Sequence, residues 1–217
     1  MRNHLSQLSV DVLDALELPT ASLVGSSAGG YAAIVTAARH PDRIKRLALV
    51  GCPAFAPGAT RTPAFVRIML TPLLGQLLAA MPPSNATVRA SLRQMGHRDT
   101  LRADRIPDAM LGWMLAWQRD TDTMRNETAT VRATATWLNG FDAELDLTPG
   151  ELGAVTAPCL ILSGTADPFA GKDVIEELAN AMPSATADYL DDAGHLPFLD
   201  DSNWIATRID RFLTTDS

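Results

Sequence analysis

The chain has 217 residues with a formal net charge of −7 at pH 7, and 47% of its residues are hydrophobic. This length suits one domain with an insertion and allows a sizeable core. The negative charge disfavours nucleic acid as a partner and is typical of a cytoplasmic protein. The two cysteines are too few for a disulfide framework, so we expect reduced, buried thiols. The most apolar segment, residues 68–81, is too short to span a membrane.

The first part of the chain predicts a helix followed by a strand. Apolar residues recur at helical spacing over residues 5–16, and Pro19 ends the pattern. An apolar strand then runs to Val24, and a helix of small residues begins near residue 31. The segment between them has to turn a strand directly into a helix.

That turn contains the pattern Gly25-x-Ser27-x-Gly29. An immediate strand-to-helix turn crowds the backbone, and we expect the two glycines to relieve the crowding around a serine whose hydroxyl is exposed. Ser26 lacks glycines at the same offsets, so Ser27 is the candidate nucleophile. The alternative is a glycine-serine turn that only joins two elements.

Strands and helices alternate on either side of a long insertion. Strands are predicted over residues 44–50, 159–164 and 187–190, and helices over residues 172–182 and 204–212. This alternation predicts an α/β fold, a mostly parallel sheet with helices on both faces.

The strand pattern stops between residues 54 and 152. Helices are predicted there over residues 64–80, 86–95, 106–118 and 121–138, and no convincing strand is found. We therefore expect a core made of residues 1–53 and 153–217, interrupted by an all-helical insertion of residues 54–152.

An acid and a histidine follow the last two predicted strands. The sequence Gly164-x-x-Asp167 comes after one strand, and Gly194-His195-x-Pro197 comes after the other. Parallel strands bring such loops to one edge of the sheet, together with the serine turn. With these motifs the chain resembles, over essentially its whole length, the α/β-hydrolase family, in particular members with a helical cap.

The resemblance implies a catalytic triad. Ser27 would attack a carbonyl carbon, His195 would act as general base and acid, and Asp167 would orient the imidazole. The backbone N–H of Ala28 would be one donor of the oxyanion hole.

Each of these roles has a competing interpretation. Asp167 followed by proline also suits a simple turn, and a loop histidine can be satisfied by local hydrogen bonds. Asp191 and Asp192 are rival acids, since they lie close to the histidine in sequence. His97 is a weaker histidine candidate because it lies in the insertion beside arginines.

Several strands precede the serine turn in the family, whereas only one helix precedes it here. The sequence thus resembles a member without its N-terminal strands and without the loop that donates the second oxyanion N–H. The strand of residues 22–24 would then have an exposed apolar edge, which allows pairing in a homo-oligomer.

The resemblance leaves three reactions open. The first is hydrolysis of a small apolar carboxylic ester or lactone through an acyl-enzyme; the others are carbon–carbon bond hydrolysis of diketone-type substrates and cofactor-free perhydrolysis. The missing oxyanion loop leaves a further alternative, ligand binding without catalysis. We expect no cofactor and no metal site. Trp113, Trp117 and Trp137 either line an apolar pocket or pack the insertion, and packing is the expected role.

Overall fold

A four-stranded parallel sheet forms the centre of the structure, a computed structural model that describes residues 2–57, 62–73, 77 and 82–215. Its strands are β1 (Ala21–Ser26), β2 (Ile44–Val50), β3 (Cys159–Gly164) and β4 (Ala185–Leu190). They are adjacent in that order, and each neighbouring pair is parallel. The α/β fold class predicted from the sequence is therefore confirmed.

Helices make up much of the rest of the described chain. In chain order they are α1 (Arg2–Ala15), α2 (Ala28–Arg39), α3 (Ala64–Leu70), α4 (Asn85–Gln94), α5 (Arg98–Arg102), α6 (Asp108–Asp120), α7 (Thr123–Thr134), α8 (Pro149–Gly153), α9 (Lys172–Ala181) and α10 (Ser202–Thr214). Short 3-10 turns span Pro41–Arg43, Ala143–Leu145 and Pro197–Leu199. None of the helices in the described ranges has the length and hydrophobicity to cross a bilayer.

Helices cover both faces of the sheet. Alternate residues of a strand point to opposite faces, so β2 and β3 each contribute side chains to two apolar clusters. Leu47 and Ile161 join one cluster with residues of α1, α2 and α9, whereas Val50 and Leu162 join another with Ile205 of α10. The second half of β2 and all of β3 are buried, which explains why they read as continuous apolar runs.

Strand β1 lies at one edge of the sheet, as the sequence predicted. Its only described strand neighbour is β2, and the side chain of Val24 is half exposed. Whether another chain pairs with this edge stays a prediction.

The segment of residues 54–152, called the helical segment below, differs from its sequence prediction within two of the predicted helices. The predicted helix over 121–138 ends at Thr134, because Ala135–Thr136 pairs with Gly140–Phe141 in a small antiparallel ladder. Gly140 has φ +76°, a left-handed conformation that favours glycine and allows the chain to turn back. The predicted helix over 64–80 is interrupted at Thr71, after α3 ends at Leu70; Pro72, Leu73 and Leu77 are helical again, and residues 74–76 and 78–81 lie outside the described residues.

The sequence prediction also missed two short helices, α5 and α8. The start of α8 carries a readable signal, since Thr148 and Glu151 form a reciprocal capping box around Pro149. A separate apolar cluster holds α4, α5 and α6 together, and Leu199 of the core is part of it. The helical segment therefore has its own small core, to which Leu196 and Leu199 from residues 153–217 contribute.

Candidate active site

The serine turn has the conformation that its sequence predicts. Ser27 lies between the last residue of β1 and the first residue of α2, with φ 51° and ψ −114°. A positive φ at a non-glycine residue is uncommon and strained, and such strain is concentrated at functional sites. Ala28 opens α2, so its N–H is one of the first-turn donors that the helix itself leaves unpaired.

The two glycines of the turn are not equivalent. A Cβ on Gly25 would lie 2.5 Å from the carbonyl oxygen of Gly29, so only glycine fits at position 25. A Cβ on Gly29 would meet no described atom within 4 Å beyond its neighbours and its own helix backbone. The expectation that both glycines relieve crowding is thus correct for Gly25 and wrong for Gly29, because the chain is already helical at position 29.

The acid and the histidine meet at the carboxyl edge of the sheet. Nδ1 of His195 lies 2.9 Å from Oδ2 of Asp167, and both side chains are almost completely buried. The carboxylate also accepts hydrogen bonds from the backbone N–H groups of Cys52 (3.2 Å) and Phe169 (2.9 Å). An acceptor-only carboxylate places the proton on Nδ1, which leaves Nε2 as the basic nitrogen of the ring.

Two glycines allow the neighbouring loops to reach this pair. A Cβ on Gly51, which has φ +76°, would overlap the carbonyl oxygen of His195, and a Cβ on Gly164 would overlap that of Ala193. Backbone therefore packs directly on backbone where the loops after β2, β3 and β4 converge. This close approach brings together side chains that are far apart in sequence.

Ser27 and His195 line the same cavity, which has a volume of about 90 Å³. Its walls are mostly apolar, and the described lining residues are Ser27, Cys52, Pro53, Ala54, Phe55, Ala56, Phe141, Asp146, Phe169 and His195. The ring of Phe169 lies 4.4 Å from the imidazole of His195, centroid to centroid. The cavity can therefore place an uncharged, partly apolar group next to the serine and the histidine.

Two titratable groups in the wall are shifted towards their neutral forms. Burial, together with the charge of Asp167, raises the pKa of the Cys52 thiol, so this cysteine stays protonated and is a poor nucleophile. Burial also raises the pKa of Asp146, whose Oδ1 atom is buried and has no hydrogen-bond partner among the described residues. The sequence analysis did not identify Asp146, since no local pattern places residue 146 next to Ser27.

Several other candidates lie away from the cavity. Trp113 and Trp117 stack on each other 6.2 Å apart, but they are 60% and 36% exposed and are not among the lining residues. The rival acids Asp191 and Asp192 are exposed, and the histidine pairs with Asp167 instead. Among the described residues, no group of three or more histidine, cysteine or acidic side chains could hold a metal ion.

The sequence analysis also missed a second buried histidine–acid pair beside the first. Nδ1 of His97 lies 2.8 Å from Oδ2 of Asp200, and the imidazole is completely buried. Burial opposes ionisation of Asp200, but hydrogen bonds from His97 and Thr100 outweigh it and hold the pKa of this carboxyl below its usual range. From the sequence alone, His97 is the weaker histidine candidate because it lies beside arginines.

Two hydrolases of known name are similar to this chain in sequence over most of its length. Over 186 residues, the chain is 26% identical to a 2-hydroxy-6-oxononadienedioate/2-hydroxy-6-oxononatrienedioate hydrolase of Cupriavidus pinatubonensis; the match covers 85% of this chain and 58% of that protein. It is 25% identical over 207 residues to a 2-hydroxymuconate semialdehyde hydrolase of Pseudomonas putida, covering 94% of this chain and 66% of the relative. The chain thus spans about three-fifths to two-thirds of the length of these relatives.

Solved structures share the fold. A carboxylesterase from Bacillus subtilis matches all of this chain and 68% of its own, with a TM-score of 0.69 and 21% identity. A 2-hydroxy-6-oxo-6-phenylhexa-2,4-dienoate hydrolase from Rhodococcus matches 94% of this chain and 67% of its own, with a TM-score of 0.69 and 18% identity. The profile of the Alpha/beta hydrolase family matches residues 2–208. The chain is therefore a member of the α/β-hydrolase family.

Proposed function

We propose that Ser27, His195 and Asp167 form a catalytic triad that hydrolyses a neutral carboxylic ester or lactone. The observation that carries this proposal is the buried pair of His195 and Asp167, which shares a cavity with a strained serine. Oγ of Ser27 attacks the carbonyl carbon while Nε2 of His195 takes its proton, and the imidazolium then protonates the leaving alcohol. Water, activated by the same nitrogen, hydrolyses the acyl-enzyme and restores the serine.

Two features of the site stabilise charge during this reaction. The N–H of Ala28 stands at the N-terminus of α2, where free donors and the helix dipole favour an oxyanion. The buried carboxylate of Asp167 keeps the imidazole in the tautomer that can accept a proton and stabilises the imidazolium.

The charge of the cavity favours a neutral substrate. Its described lining includes the carboxyl group of Asp146 and no lysine or arginine. A substrate carboxylate in so small a cavity would lose its hydration and find no cation among the described lining residues, which is costly at low dielectric. Phe55, Phe141 and Phe169 instead offer apolar surface to an acyl or alcohol group.

The second candidate is hydrolysis of a carbon–carbon bond in a diketone-type substrate. It is supported by the names of the curated relatives, which describe hydrolases of dicarboxylate and semialdehyde compounds. The same nucleophile and base would serve, since the attacked atom is again a carbonyl carbon. This candidate is placed second because no lysine or arginine among the described lining residues would pair with a substrate carboxylate.

The helical segment fits the role of a cap in this scheme. Phe141 comes from it and lines the cavity, and Phe65 contacts Phe169 edge to face at 6.0 Å. We therefore propose the division suggested by the sequence, a core of residues 1–53 and 153–217 and a cap of residues 54–152.

Turnover of paired substrates by the chain and by Ser27→Ala tests the proposal. We compare a neutral aryl ester, the same ester with a carboxylate on its acyl group, and a vinylogous diketone. The expected order of kcat/KM is neutral ester, then anionic ester, then diketone, with all activity lost in Ser27→Ala.

Fluorophosphonate labelling of Ser27, read by peptide mass, separates the remaining outcomes. Faster turnover of the diketone would make carbon–carbon hydrolysis the function. Absence of label and of turnover in a folded sample, together with saturable binding of an ester analogue, would contradict catalysis and support a ligand-binding role.

A further inference from the structure

The loop that carries His195 is held by groups outside its own turn. The N–H of Gly194 donates to Oδ2 of Asp200 (2.9 Å), and the N–H of His195 donates to the carbonyl oxygen of Met95 (2.8 Å). The N–H of Leu196 donates to Nε2 of His97 (3.3 Å). Three consecutive backbone amides are thus fixed, and we call the three residues that accept from them, Met95, His97 and Asp200, the clasp.

Every polar group of the clasp side chains has a defined partner. Because Nε2 of His97 accepts from a backbone amide, its proton lies on Nδ1 and is donated to Asp200. The other carboxylate oxygen of Asp200 accepts from the hydroxyl of Thr100. Buried polar networks that are fully satisfied rigidify the structure around them.

The clasp joins the helical segment to two of the three loops of the proposed triad, those that carry Asp167 and His195. Gly96, between Met95 and His97, has φ +96°, and a Cβ there would overlap the carbonyl oxygen of Ala166. A Cβ on Gly194 would likewise overlap the carbonyl oxygen of Met95. The segment therefore packs against the residue before Asp167 and the residue before His195 at once.

We propose that His97 and Asp200 are positioning residues for His195: they fix the backbone of residues 194–196 so that the imidazole keeps its geometry toward Ser27. This inference rests on the proposed function, which makes His195 the general base. A buried pair that only stabilised the fold would be replaceable by apolar side chains at little cost. A positioning pair would not, since misplacing a base by about 1 Å can cost about 100-fold in rate.

The test is the second-order rate of fluorophosphonate labelling at Ser27, which needs the base but no particular substrate. His97→Phe keeps a planar ring of similar shape and removes both hydrogen bonds, and we expect the rate to fall about 10- to 100-fold. His97→Gln keeps an acceptor for the N–H of Leu196, and we expect it to recover most of the rate. Asp200→Asn weakens the same pair by removing the charge of the acceptor, and we expect its labelling rate to lie between the rates of these two variants.

Thr36→Val is the matched control, because Thr36 is buried and its hydroxyl donates to the carbonyl oxygen of Ala32 in its own helix, with no other hydrogen bond to a described residue. It is expected to label at the wild-type rate. Thermal unfolding identifies the folded variants, and rates are divided by the titrated fraction of reactive enzyme. Wild-type rates in folded His97→Phe, or equal losses in His97→Phe and His97→Gln, would overturn the proposal.

A failure of the proposed function gives a different result. If Ser27 of the wild type does not label at all, the triad proposal fails. The positioning role of His97 and Asp200 is then tested by the ¹H NMR signal of the hydrogen-bonded Nδ1 proton of His195. The positioning role predicts that this signal shifts or broadens in His97→Phe and not in Thr36→Val. An unchanged signal in His97→Phe would contradict the role independently of activity.

Discussion

Two buried histidine–acid pairs lie side by side in this chain, and they are built almost alike. Nδ1 of His195 is 2.9 Å from Asp167, and Nδ1 of His97 is 2.8 Å from Asp200. In both pairs the imidazole is nearly inaccessible and the carboxylate accepts backbone amides. Distance and burial alone do not distinguish a catalytic pair from a supporting one.

The second ring nitrogen makes the difference. Nε2 of His97 already accepts a hydrogen bond from the N–H of Leu196. Within the described part of the chain, Nε2 of His195 makes no hydrogen bond to protein, and its ring lines the cavity that contains Ser27. A histidine can act as a base only where one nitrogen is left for the substrate, so the first pair suits chemistry and the second suits support.

Removing the charge from each acid in turn tests whether the two pairs differ in role. Asp167→Asn can no longer enforce the Nδ1–H tautomer, so we expect kcat/KM to fall about 10³- to 10⁴-fold. Asp200→Asn acts only through the backbone of residues 194–196, and we expect a loss of about 10-fold, smaller than that of His97→Phe. The measurement is ester hydrolysis with active-site titration. Equal losses in the two variants would mean that the pairs do not differ in role.

The first pair and Ser27 were predictable from the sequence because the patterns that identify them lie within a few residues of each. Each of Ser27, Asp167 and His195 follows an apolar strand and has glycines at fixed offsets. Parallel topology then brings the three loops to one edge, whatever the length of chain between them. The structure places all three predicted residues at that edge.

The second pair was not predictable in the same way. His97 and Asp200 are 103 positions apart, and His97 lies in the helical segment, which the sheet topology does not position. Asp146 was missed for the same reason. The end of α7 was missed because Thr134 and its neighbours continue a helical pattern, and the ladder partner Gly140–Phe141 decides where the helix stops.

A pair of glycine substitutions tests whether the backbone contact under the clasp is tight. Gly96→Ala places a Cβ against Ala166 at a φ of +96°, and we expect it to destabilise the fold by about 2–4 kcal/mol. Gly112→Ala is the control, since Gly112 lies in α6 and no described atom beyond its neighbours and helix backbone comes within 4 Å of an added Cβ. It should stabilise by about 0.5–1 kcal/mol. Urea denaturation reports both values, and a neutral Gly96→Ala would show that the contact is loose.

The smallest effect expected is on how the stability of the fold depends on pH in wild type and in Asp200→Asn. Burial opposes ionisation of Asp200, but the hydrogen bonds from His97 and Thr100 dominate and lower its pKa in the folded state. The unfolded chain has a pKa of about 3.9 at this position. Asp200 therefore contributes stability above about pH 4, and this contribution is lost as the pH falls through the lower folded-state pKa. We expect the difference in free energy of unfolding between wild type and Asp200→Asn to decrease as the pH falls through that range.

An exposed acid with a lowered pKa provides the matched control. The hydrogen bond from Arg119 lowers the pKa of Asp120, but both side chains are more than half exposed. Salt at about 0.5 M screens an exposed pair and leaves a buried one largely unaffected. At this salt concentration, wild type and Asp120→Asn should therefore show the same dependence of the free energy of unfolding on pH. The difference in this dependence between wild type and Asp200→Asn should persist. If salt abolished this difference as well, the clasp would be open to solvent and could not hold the loop of His195 in place.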